Sequence, residues 1–167
     1  MAADTKKGPT LLRLTPFWIL LFLSTVSLPA QGADMASTQR KIIHTPQAPA
    51  AIGPYSQAIQ VENQLFISGQ LGIDPAAGTL VPGGVVAETR QALANVQAIL
   101  EEASFTVQDV VQVQVFLADI NDFAAMNEVY ATFFTTNPPA RAAFQVAALP
   151  KGGRVEILVQ ALRAARE

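Results

Sequence analysis

The stretch NPPARAAFQVAALPKGGRVEI, residues 137–157, sets Arg141 and Glu156 among small and apolar neighbours. A guanidinium presents a planar fork of N–H donors that grips a carboxylate bidentately. A carboxylate can orient and deprotonate a water. Together the two suit the binding or turnover of a small anionic compound. Their spacing does not make them an obvious pair, however. If ARAAFQVAA and RVEILVQALRA form two strands joined by a turn at Leu149–Gly152, Gln145 faces Glu156, and Arg141 lies four residues further along, roughly 13 Å away at about 3.3 Å per residue. Either each residue pairs separately across an interface, or a neighbouring subunit brings one to the other in a cleft.

The elements that must position them follow in a clear order. KIIHT is a short apolar run that fits a strand, and PQAPAAIGPY, with three prolines, has to be extended and non-helical. SQAIQV and QLFISG read as a hairpin turning at Glu62 and Asn63. LGIDPAAGTLVPGG is a turn-rich loop. From about Val85 to Ala103 the apolar positions Val86, Leu93, Val96, Ile99 and Leu100 mark one face of a helix. DVVQVQVFLAD alternates as a strand, and Phe123 to Phe134 returns to helical spacing through Met126, Val129, Tyr130 and Phe133, with Asn121 or Asp122 as the cap. The order β-ββ-α-β-α-ββ predicts an α+β sandwich, a six-stranded sheet with two helices on one face. Two helices cannot cover both faces. The second, carrying Gln112, Gln114 and Gln145, suits a subunit interface, so a homo-oligomer of closed symmetry is expected.

Composition excludes several chemistries. The 167 residues are 50% hydrophobic and 14% charged, enough for one domain with a sizeable core. Cysteine is absent, which removes disulfides, thiolate catalysis and Cys-based metal centres. The single histidine, His44, excludes a His-ligated zinc cluster, argues against a Ser-His-Asp triad and reads as a surface or edge residue. No metal site is expected. A net charge of −2 with 11 scattered basic residues argues against a nucleic-acid surface.

The N-terminal segment, residues 1–34, differs from the domain expected over 35–167. Lys6, Lys7 and Arg13 precede FWILLFLSTVSL, an apolar run from Phe17 to Leu28, and the small residues Ala30, Gly32 and Ala33 follow. These are the three parts of a secretory signal peptide, with cleavage after Gly32 fitting the small-x-small rule. The run is shorter than the about 20 apolar residues of a membrane span, so no stable span is expected. An exported protein is predicted; the alternative is a cytoplasmic one that starts at Met35.

IGPYSQAI (52–59), ISGQLGIDPAAG (67–78), LADINDFAAMNEVYATFF (117–134) and PPARAAFQVAALPKGGRVEI (138–157) resemble, in order, the signature blocks of the YjgF/Rid family of reactive-intermediate deaminases, in their animal-type form. The resemblance covers residues 40–162. It implies a chorismate-mutase-like fold, a homotrimer with sites in clefts between subunits, and hydrolysis of 2-imino acids such as 2-iminopropanoate and 2-iminobutanoate to 2-oxo acids and ammonia. By the same resemblance Arg141 would bind the substrate carboxylate and Glu156 would position the attacking water. Tyr55, Ser68, Gly69 and Asn127 would line the cleft. No cofactor is implied: an imine carbon is already electrophilic, and fixing the carboxylate beside one water can suffice. Some bacterial members have a cysteine where this chain has Ala143, and the N-terminal segment is a second departure.

Plainer roles stand beside these. Tyr55 can plug the start of the sheet, Ser68-Gly69 can end a strand, and Asn127 can cap a loop or face solvent. Two other functions also stand beside deamination. A ribonuclease or translation inhibitor would need a basic groove with stacking aromatics, which this acidic chain does not offer. A non-catalytic ligand-binding or chaperone-like trimer would use the same cleft.

Overall fold

The computed structural model describes residues 39–164. The signal-peptide-like segment lies outside the described residues. Within them no helix is long and apolar enough to cross a membrane.

Eight elements follow one another: β1 (Arg40–Ile43), β2 (Ala58–Val61), β3 (Gln64–Leu71), α1 (Gly84–Glu102), β4 (Val110–Leu117), α2 (Phe123–Phe133), β5 (Ala140–Gln145) and β6 (Val155–Leu162). The strands form one six-stranded mixed sheet in the order β1-β2-β3-β6-β4-β5. Every neighbouring pair is antiparallel except β4 and β5.

Alternation in the strands sets the faces. Val113, Val115 and Leu117 of β4 and Val155, Ile157 and Val159 of β6 are fully buried and point to the helices. They meet Leu93, Val96, Ile99 and Leu100 of α1 and Met126 of α2. At 20–33 cal/mol per Å² of apolar surface removed from water, this contiguous core is the main term stabilising the fold. Gln112, Gln114 and Phe116 occupy the opposite face, which the helices leave open. Ile42, Phe66, Phe144 and Leu162 are exposed there. Gln145 is different: it is paired with the helix-side Leu117, and its Oε1 accepts the Ile120 N–H at 3.1 Å, so it closes the end of β4.

The expected hairpin between the last two strands does not form. After β4 the chain passes through α2 and returns parallel to β4, so β5 becomes the sheet edge, and none of its residues is fully buried. β6 then inserts between β3 and β4, where four of its side chains are buried at alternate positions. A fully apolar face is better satisfied with a strand on each side than at an edge. The connection from Val146 to Arg154 is correspondingly more than a tight turn; Val146 N–H bonds to Leu117 O and Ala118 N–H to Arg154 O, drawing both ends of it toward the end of β4.

Asp122, one of the two predicted caps, does take the cap position of α2, but its side chain makes no capping hydrogen bond. Asp119 Oδ1 accepts the Asn121 N–H at 2.9 Å in the short 3₁₀ turn before the helix, and Asp122 Oδ2 is taken by Arg154 at 2.7 and 2.9 Å.

On the open face a small cluster of Leu71, Ile73 and Leu149, with Phe116 and Val146 against it, folds the two long loops over the ends of β3 and β6. This cluster sits beside Glu156.

Candidate active site in two halves

The first half is built on β3 and β6. Register shifts by one residue between the pairs Ile67–Val159 and Gln70–Ile157, which puts a bulge at Ser68-Gly69. Two bonds pin the bulge to the segment that leads into β2: Ser68 N–H to Gln57 O at 3.0 Å and the Ser68 hydroxyl to Ser56 O at 2.7 Å. Gly69 leaves the space that the Glu156 side chain fills. A Cβ there would overlap Glu156 Oε1 and stand 2.7 Å from its Cδ. The glycine is thus a close-approach residue, not a strand ending.

Tyr55 reaches the same place from the loop before β2. Its hydroxyl accepts the Ile52 N–H at 3.3 Å, and its ring is about half exposed. That loop is fastened by Gln57, 2% exposed, whose side chain accepts from Thr45 N–H at 2.8 Å and donates to the carbonyls of Thr45, Ala48 and Pro49. Tyr55, Ser68, Gly69 and Glu156, with Leu71 and Pro150 as apolar walls, enclose an open cavity of about 270 Å³. The Glu156 carboxyl is half-buried there, and burial pushes its pKa above the ordinary glutamate value. No cation pairs with it among the described residues. It is a carboxylate short of solvent and short of partners, the condition of a general base.

The second half lies between β5 and α2. Arg141 is paired in the parallel ladder with Val113, and therefore points to the helix side. Its guanidinium carbon sits 4.3 Å from the centre of the Tyr130 ring and 5.7 Å from that of Phe123. Asn127 lies between those two on α2; positions 123, 127 and 130 share one helix face. Arg141 has no acidic partner among the described residues.

The two halves do not meet within one chain. Glu156 is paired with Phe116, and Phe116 with Phe144, so Arg141 lies two strands across and three residues along. That is roughly 14 Å between Cα atoms at about 4.8 Å per strand and 3.3 Å per residue. It also faces the other side of the sheet. Of the six residues singled out in the sequence, the fold groups Tyr55, Ser68, Gly69 and Glu156 in one place and Arg141 with Asn127 in another.

Three residues were missed as parts of the site. Phe123 was read only as the start of the helix and Tyr130 only as part of its apolar stripe, where it does lie; their seven-residue spacing around Asn127 is the signal that could have singled them out. Gln57 carried no such signal, because an amide at the start of a strand looks like any exposed polar residue until its four bonds are seen.

Residues 45–163, which run from before β2 through β6, match the family model described as endoribonuclease L-PSP. The chain is similar to the 2-iminobutanoate/2-iminopropanoate deaminase of Capra hircus, with 62% identity over 123 residues covering 74% of this chain and 90% of that one. Among solved structures it is similar to RidA from an Antarctic Psychrobacter, at 48% identity and a TM-score of 0.72, over 74% of this chain and 99% of that one. It is also similar to E. coli TdcF solved with bound serine, at 42% identity and a TM-score of 0.72, over 74% and 99%. With a family match over residues 45–163 and identity on this scale over nearly the whole of the relatives' length, the chain belongs to the L-PSP endoribonuclease family, also called YjgF/Rid.

Proposed function

We propose that the chain hydrolyses 2-imino acids such as 2-iminobutanoate and 2-iminopropanoate, at clefts in which one subunit supplies Glu156, Tyr55, Ser68 and Gly69 and a neighbour supplies Arg141 and Asn127. The observation that carries this is the paired incompleteness of the halves. A half-buried carboxylate without a cation faces a cavity of about 270 Å³, and a half-buried guanidinium without an acid stands on the sheet edge. Neither is self-sufficient, and a carboxylate-bearing electrophile satisfies both. Closed cyclic packing through the exposed apolar face of the sheet would bring them together, three copies making three equivalent clefts.

In that cleft the Arg141 fork takes the substrate carboxylate and fixes the C=N carbon over Glu156. Glu156 accepts a proton from water as its oxygen adds to the carbon of the protonated imine. It returns that proton to the nitrogen of the carbinolamine, and the C–N bond breaks with loss of ammonia as the hydroxyl proton passes to Glu156 and on to solvent, giving the 2-oxo acid and the free carboxylate. Each turnover consumes one water and needs neither oxidant nor metal. The curated relative's deaminase name supports this activity for the present chain.

A second reading, a non-catalytic binding trimer, is favoured by one observation: TdcF carries a bound serine, an amino acid rather than an imine. Turnover separates the two. With 2-iminobutanoate generated in situ from threonine by a dehydratase, the wild type should accelerate 2-oxobutanoate formation over buffer, and Arg141→Ala and Glu156→Gln should not. A wild type no faster than buffer would sink the hydrolase reading for this substrate. Binding that survives in Glu156→Gln without turnover is expected of either.

The ribonuclease activity in the family's name finds no support in an acidic chain without clustered basic residues.

A further inference from the structure

Arg141 is a half-buried cation whose neighbours are rings rather than acids. A carboxylate would hold the guanidinium as firmly as an aromatic face does. It would also neutralise it, and an incoming anion would then have to displace a resident one. An aromatic face attracts the cation through the ring quadrupole and occupies none of its N–H donors. The Tyr130 ring, 4.3 Å from the guanidinium carbon, gives the closer support, and Phe123 at 5.7 Å the weaker one.

Tyr130 is itself held in place. It is 6% exposed, and its ring lies 4.6 Å from that of Phe134, which Phe133 meets edge-on at 4.9 Å. Burial pushes the Tyr130 phenol up to about 12, against the opposing pull of Arg141. It therefore stays neutral near pH 7 and presents no phenolate to compete for the guanidinium. The hydroxyl has no hydrogen-bond partner among the described residues. What this residue offers Arg141 is its face.

We propose that Tyr130 is a positioning residue: its ring orients the Arg141 guanidinium while leaving the charge available, and so sets the affinity of the site for a substrate carboxylate. The proposal rests on reading Arg141 as the carboxylate-binding residue of an imino-acid hydrolase.

The test compares the full chain with its Tyr130→Phe and Tyr130→Leu variants. KM and kcat are measured for 2-iminobutanoate, and calorimetry gives Kd for 2-oxobutanoate and for the uncharged 2-oxobutanamide. Phe should stay within about two-fold of wild type. Leu should raise KM and weaken 2-oxobutanoate by about 3- to 30-fold, the range for a cation–π contact, with a smaller change in kcat and none in amide binding. Wild-type behaviour in the Leu variant would overturn the proposal. So would a Phe variant as impaired as Leu, which would assign the effect to the hydroxyl, or equal weakening of acid and amide, which would make the role purely structural. A wild type that binds 2-oxobutanoate but hydrolyses no imine loses the hydrolase reading alone, and the binding arm still decides on Tyr130. One that binds no 2-oxobutanoate overturns both.

Discussion

Gly69→Ala is the sharpest probe of the first half-site, because the three atoms nearest to the added methyl all belong to the proposed base. Its Cβ would overlap Glu156 Oε1 and stand 2.7 Å from Cδ and 2.9 Å from Cγ. Comfortable carbon–carbon contact is about 3.5–4.0 Å, so the carboxylate has to retreat by about 1 Å. Backbone strain does not enter, since Gly69 lies outside the left-handed φ region. The obstructed group is also the far end of a flexible side chain, so the fold should absorb the change, with urea-unfolding stability within about 1 kcal/mol of wild type. Catalysis should not absorb it: a displacement of about 1 Å in a reacting group costs on the order of 10²-fold in rate. Imine hydrolysis by Gly69→Ala should therefore fall about 100-fold in kcat, with KM much less affected. In a Glu156→Ala background the same substitution should have almost no effect, giving strong non-additivity. Near-wild-type kcat in Gly69→Ala, or an equal loss with Glu156 already removed, would refute the argument that Gly69 acts through the carboxylate.

Four further outcomes follow from the same geometry. Burial raises the Glu156 pKa, so a rate that needs the ionised carboxylate should fall as pH drops through a value above the ordinary glutamate range. The native state then holds this proton more tightly than the unfolded chain, and its contribution to stability declines as pH rises from the ordinary value through the raised one. Glu156→Gln should accordingly be more stable than wild type at pH 7 and should lose that advantage in acid, checked by urea midpoints at both pH values. Gly72→Ala is the contrasting glycine: its Cβ would strike the α1 backbone at Glu88 Cα and stand 2.8 Å from Glu88 O. Helix backbone cannot step aside, so about 1–3 kcal/mol or more of stability should be lost in thermal or urea unfolding. Gln57→Leu strands the buried Thr45 N–H and should cost about 1–3 kcal/mol, seen as a lower urea midpoint at unchanged slope.

Local pattern carried the reader a long way in this chain. The Glu62-Asn63 hairpin, the alternation of β4 and the apolar stripes of α1 and α2 formed about where residue spacing placed them, except that Val86 is exposed and Val85 takes the buried position at the start of α1, because side-chain periods of 2 and 3.6 are properties of the backbone itself. Arg141 and Glu156 stood out for a related reason: charge among small apolar residues is costly to bury and visible without coordinates.

Strand order was not visible in this way. ARAAFQ and RVEILVQAL look like adjacent strands because they are adjacent in sequence, yet β4 separates them. Which strand takes the edge depends on how α2 crosses the sheet and on which apolar face needs a neighbour on both sides, and those are balances struck over the whole core. The same balance put Arg141 on the helix side and Glu156 on the open side. It also decided the roles of two uncharged residues. Gly69 looked like a strand breaker until the bulge brought Glu156 against it, and Tyr130, core as its spacing implied, gains a second role only because Arg141 arrives from a strand ten residues later to lie on its ring. Residue type and spacing determined what chemistry this protein could offer. Tertiary structure decided which groups face each other, because side chains distant in sequence meet only after the sheet has chosen its order.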